Sequence, residues 1–211
     1  MKRLAAFISI VINPLILPPI LLALVAAHVG APPDEVRTVA LLGTVLFFVM
    51  PLGWLVLMVR MGAAATLDIR NRAVRQGPLA VGLALMLFAA TAYWFMAPVS
   101  RDPVVGLTLS LALNTFLVMK ITGHVKISIH VAGIAGFAAM LGTLSALDPA
   151  FGDGLPGPGM WPVWLAVPIV MWARVKAEAH VRAEVVLGLL FGLVIPPLEV
   201  LALHALGMFS G

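Results

Sequence analysis

Long apolar runs separated by short polar breaks make up the chain. They lie near residues 4–28, 37–59, 79–99, 103–120, 129–147, 159–174 and 183–209. Most approach the twenty or so apolar residues that a helix needs to cross a bilayer core. The pattern predicts an all-α polytopic transmembrane helix bundle of six to seven spans, built as a single membrane-embedded domain over residues 1–211. The sixth run is short, and Trp161, Trp164 and Trp172 mark its ends as interfacial anchors. The fifth and seventh carry small residues, Gly133, Gly188 and Gly192 among them, which let helices approach closely. The opening "MKRLAAFISIVINPLILPP" has a basic start, but its apolar run continues to about Ala27. That is too long for a cleaved leader, so a retained helix is expected, bent or started at Pro14, Pro18 and Pro19.

Composition agrees with the pattern: 62% of the 211 residues are hydrophobic and 10% charged, against roughly 25% charged in soluble domains. No polar stretch is long enough to fold alone. Cysteine is absent, which excludes disulfides and thiolate chemistry.

The charges change the picture more than their sum does. If all seven runs span, the N-terminus and loops 60–78, 121–128 and 175–182 share one face. That face holds Lys2, Arg3, Arg60, Arg70, Arg72, Arg75, Lys120, Lys126, Arg174, Lys176 and Arg182, leaving Arg37 and Arg101 on the other. The positive-inside rule accounts for the sign and predicts a cytoplasmic face in a plasma (inner) membrane. It does not account for histidines and a carboxylate set among the cations.

Three loops carry candidate chemistry. "LDIRNRAVRQGP" offers Arg70, Arg72 and Arg75, whose guanidinium forks suit phosphate oxygens. "KITGHVKISIHVAG" offers Lys126, Ser128 and His130 at a helix start, where backbone N–H groups favour anions. "ARVKAEAHVRAEVVLG" offers Arg174, His180 and Glu184. A helix beginning near His180 would put Glu184 one turn along on the same face. There the carboxylate could fix the imidazole tautomer, as a nucleophile requires. Cationic loops with two histidines and no carboxylate cluster suit phosphoryl transfer without a metal or other cofactor.

The third stretch resembles a signature of the type-2 phosphatidic-acid phosphatase superfamily, which includes vanadium haloperoxidases. The signature S-R-x5-H-x3-D is matched by Arg174, His180 and Glu184, with Ala173 for serine and glutamate for aspartate. "ISIH", Ile127 to His130, keeps the serine and histidine of the P-S-G-H signature. The K-x6-R-P signature is poorly kept, since Asp68 stands where its lysine belongs. A divergent bacterial branch, with D-R-x-x-R-x-x-P, "KISLH" and "HPLLLP", is similar to "NRAVRQGP", "KISIH" and "NPLILPP" here. In many members of the superfamily the first two signatures share a region without two clear spans between them, whereas residues 79–120 intervene here.

The resemblance implies a haloperoxidase-like helical core and a lipid phosphatase. His180 would be the nucleophile, Glu184 its orienting partner and His130 the general acid. Arg72, Arg75, Lys126, Ser128 and Arg174 would surround the phosphate, with Arg70 and His124 as further candidates. The expected substrate is a membrane lipid phosphate, with phosphatidate, phosphatidylglycerophosphate and polyprenyl (di)phosphates all open, and no nucleic acid is expected as partner. The alternatives are a phosphotransferase on the same fold, or a transporter or lipid-binding protein using Glu199 as a coupling site. Oligomeric state cannot be read from the pattern.

Overall fold

In a computed structural model, residues 1–64, 72–151 and 161–209 are described, and all regular structure among them is helical. In chain order the α-helices are α1 (Lys2–Val11), α2 (Leu17–His28), α3 (Pro33–Gly43), α4 (Met50–Arg60), α5 (Arg72–Met96), α6 (Arg101–His124), α7 (Ile129–Leu147), α8 (Trp161–Lys176) and α9 (Arg182–Ala205). Six segments are long and apolar enough to cross a membrane: Phe7–His28, Pro33–Arg60, Val74–Met96, Arg101–His124, Ile129–Leu147 and Arg182–Ala205. This is the architecture of a multi-pass membrane protein. The expected sixth span is absent from that set, because α8 has 16 residues. At 1.5 Å per residue it is about 24 Å long, short of a hydrocarbon core of about 30 Å.

Prolines explain the irregular places. The first expected span is interrupted: α1 ends at Val11, Pro14–Ile16 form a single 3-10 turn, and α2 resumes at Leu17. Asn13 caps the turn, its side-chain oxygen accepting from the Leu15 N–H at 3.0 Å. The second expected span is continuous but widens into a π-turn over Thr44–Val49. Pro51 has no N–H to give the Phe47 carbonyl, so the helix shifts register ahead of it, and Met50 N–H bonds back to the Val45 carbonyl.

The chain divides into two compact units, residues 1–17 with 127–207, and residues 18–126 with 208–209. In the second unit α5 and α6 pair as a hairpin. Its turn is held by Glu35, 5% exposed, which accepts from the Ser100 N–H and hydroxyl, each at 2.7 Å, and from Val99 N–H at 3.2 Å. A carboxylate at the mouth of α6 satisfies backbone donors that the helix leaves over and faces the positive end of its dipole. Nearby, the Arg101 guanidinium lies 5.2 Å from the centre of the Trp94 ring. Tyr93, fully buried, donates its hydroxyl to the Val39 carbonyl at 3.1 Å.

The first unit is built around α7. Val131, Ile134, Ala135 and Ala138 of α7 pack with Val167 and Val170 of α8 and Val185 of α9. Gly188 and Gly192 let α9 lie backbone to backbone on α7: a Cβ at Gly188 would sit 2.6 Å from the Ser128 carbonyl oxygen, and one at Gly192 2.6 Å from that of Ala132. One turn further, Gly136 faces Pro196. Contacts therefore advance together along both helices, so α7 and α9 run parallel. The intervening chain must return, and α8 makes the return: Trp164 near its start faces Gly142, late in α7, while Val170 joins the cluster around Val131.

Candidate functional site

The third motif forms a compact turn between α8 and α9. Arg174 lies in the last turn of α8 and is 3% exposed. Its carbonyl accepts from the N–H groups of Ala179 and His180, at 3.2 and 3.3 Å. The five-residue spacing thus closes a helix C-terminal turn that brings His180 back beside Arg174. Glu178 supplies the left-handed residue this turn needs, at φ 55°. A non-glycine residue there is uncommon and carries a conformational cost. Its carboxylate pairs with Lys2 of α1 at 2.5 Å, though both side chains are well exposed and the pair adds little stability. The pair shows that the N-terminus sits at the motif end of this unit.

His180 stands two residues ahead of α9, so a helix does begin near it, as the spacing suggested. α9 starts at Arg182 with Val181 as its cap. Glu184, four residues past His180 and in the first turn of α9, reaches back to the imidazole: its Oε2 is 2.6 Å from His180 Nδ1 and 3.4 Å from the Val181 N–H. The carboxylate thus spans the helix start, as acidic side chains in a first turn commonly do. The His180 side chain is 1% exposed and that of Glu184 18%. In the neutral tautomer that donates Nδ1–H to this carboxylate, the ring's lone pair is on Nε2, the arrangement a histidine nucleophile uses.

The second motif is joined to this turn by its backbone. The Ser128 N–H donates to the Glu184 carbonyl at 3.0 Å. Glu184 therefore holds His180 with its side chain and Ser128 with its main chain. Ser128 is the N-cap of α7 but its side chain makes no capping bond. The residue is fully buried, and Oγ has no hydrogen-bond partner among the described groups. A buried hydroxyl without a partner is costly and calls for an explanation. An anion at the α7 N-terminus would supply one. His130 stands in the first turn of α7, half-buried.

Arg174, His180, Glu184, Ser128 and His130 thus belong to one unit, and the first four are linked by bonds through Arg174 and Glu184. Arg75, Lys126 and His124 belong to the other. Arg75 lies inside α5, which begins seven residues before the expected start at 79, and it is buried. Lys126 is half-buried and His124 exposed at the end of α6. Arg70 and the Arg72 side chain lie outside the described residues. Among the described residues no three His, Asp or Glu side chains gather as metal ligands. Glu199 sits in α9, fifteen residues past Glu184 and about 22 Å along the axis.

Sequence reasoning assigned Glu35 no structural role. Its signal was its place in a first turn after Pro32 and Pro33, but its partners at Val99 and Ser100 are more than sixty residues away. No protein-family model, curated protein or solved structure matches this chain.

Proposed function

We propose that the protein is an integral-membrane phosphatase that hydrolyses a lipid phosphate monoester or diphosphate through a phosphohistidine on His180. The observation that carries the reading is the buried His180 Nδ1···Glu184 Oε2 contact of 2.6 Å, built into one turn with the buried Arg174. Supporting it are the buried, unbonded Ser128 hydroxyl and the α7 N-terminus. The resemblance stated for the motifs gives the same roles.

In the first step His180 Nε2 attacks phosphorus. The P–N bond forms as the P–O bond to the lipid breaks, and His130 gives its proton to the departing oxygen. Arg174 and the donors around Ser128 stabilise the charge on the equatorial oxygens, and Glu184 stabilises the imidazolium. In the second step His130 takes a proton from water. Hydroxide attacks phosphorus, the P–N bond breaks, and inorganic phosphate leaves with His180 neutral again.

The reading takes α8, with its Trp anchors, as a seventh crossing, since parallel α7 and α9 require a return pass. The N-terminus and the motif turn then share a face, which the surplus of Lys and Arg assigns to the cytoplasm. A C-terminal reporter active only outside the cytoplasm should then be active. A silent one contradicts the assignment.

The activity is tested on purified protein in detergent with phosphatidate, phosphatidylglycerophosphate and a polyprenyl diphosphate. Phosphate release from at least one, unchanged by chelator and inhibited by orthovanadate, is expected. Vanadate should inhibit because it adopts a five-coordinate form like the transition state. No release from any of the three, or release that needs added magnesium, contradicts the proposal. Transfer only to an added alcohol, with no hydrolysis, would contradict the hydrolase part of it.

A further inference from the structure

We propose that Gly188 is a positioning residue for the reaction: its missing side chain sets the distance between the two halves of the site. The inference rests on the phosphatase reading and deepens it. Ser128 is gripped by α9 at both ends of its backbone. Its N–H donates to the Glu184 carbonyl at 3.0 Å. Its carbonyl lies over Gly188, one turn on, where an added Cβ would stand 2.6 Å away, with the Ala132 nitrogen at 3.4 Å. No real Cβ tolerates 2.6 Å from a backbone oxygen, so any side chain at 188 must push the α7 N-terminus off α9.

The consequence is local to the chemistry. Ser128 and His130 move with the start of α7. His180 stays with α9, because Glu184 holds it. Restoring ordinary contact needs a displacement of somewhat under 1 Å, and misplacement on that scale can cost about a hundredfold in rate. Gly188 touches neither substrate nor nucleophile in this scheme; it acts through Ser128.

Gly192 provides the comparison. A Cβ there would meet the Ala132 carbonyl at 2.6 Å, the Gly136 nitrogen at 2.7 Å and the Ala135 Cβ at 2.9 Å, one turn deeper in the same packing. By contacts alone Gly192→Ala is the more damaging to stability. If glycine at 188 serves packing only, activity in the two variants should follow their melting temperatures.

The experiment measures kcat, KM and melting temperature for the parent, Gly188→Ala and Gly192→Ala in detergent micelles, with whichever of the three lipid phosphates the parent hydrolyses and orthovanadate as inhibitor. The orders are expected to invert. Gly192→Ala loses more melting temperature, whereas Gly188→Ala loses about ten- to a hundredfold in kcat per folded molecule and binds vanadate correspondingly more weakly. Equal losses of kcat, or kcat tracking melting temperature, overturn the proposal. Should Gly188→Ala not fold, Ser128→Pro against Ser128→Ala decides the matter, since both lose the hydroxyl and only proline also releases the bond to Glu184. A kcat at least tenfold lower for proline supports the proposal, and equal values overturn it. A parent that releases phosphate from none of the three lipid phosphates counts against the phosphatase reading instead, and is recognised before any variant is compared.

Discussion

His180→Ala is expected to lower phosphate release by about a thousandfold or more while the protein stays folded. Removing a nucleophile from a site whose members act together usually costs several orders of magnitude. The fold should survive because the imidazole's bond is to Glu184, a few residues away in the same turn, and the core of this unit is the aliphatic cluster of α7, α8 and α9. The measurement is phosphate release together with a melting curve. Activity within about tenfold of the parent, with an unchanged melting temperature, would remove His180 from the chemistry.

Glu184 should show a graded response. In Glu184→Gln an amide oxygen can still accept from Nδ1–H, but a neutral bond replaces a charge-assisted one. The difference is about 1–2 kcal/mol, or roughly tenfold or somewhat more in rate. In Glu184→Leu the Nδ1–H loses its acceptor inside a buried turn, which costs about 1–3 kcal/mol more and leaves the tautomer unfixed. Steady-state kcat should therefore fall in the order parent, glutamine, leucine. Both variants should keep the Ser128 bond, since that uses the Glu184 main-chain carbonyl. If glutamine and leucine lose activity equally, the carboxylate is not orienting the imidazole.

The parts of this molecule that could be read from sequence are those governed by local chemistry. Apolar runs of membrane length became helices, because a bilayer leaves backbone groups no other general way to be satisfied. The spacing from Arg174 to His180 closes a C-terminal turn, and that from His180 to Glu184 bridges a helix start. Both are short-range geometries. Where the sequence reading went astray, a distant or competing partner decided the outcome. The π-turn at Thr44–Val49 follows from Pro51, which a hydropathy window does not register. Glu35 became buried because Ser100 and Val99 need an acceptor, a relation between the first turn of α3 and the α5–α6 turn more than sixty residues on. Gly188 and Gly192 were legible as packing glycines. That one of them lies against the Ser128 carbonyl depends on the parallel register of α7 and α9, which no local pattern encodes.

The most direct test of the central claim is to trap the covalent intermediate. The purified protein is mixed briefly with whichever of the three lipid phosphates it hydrolyses, carrying a labelled terminal phosphate, quenched in alkaline denaturant and digested, and the labelled peptide is sequenced by mass spectrometry. The account predicts phosphate on His180, stable in alkali, lost in acid, and absent from His180→Ala. Label on another residue, or rapid release of phosphate with no label on the protein at any quench time, would contradict it.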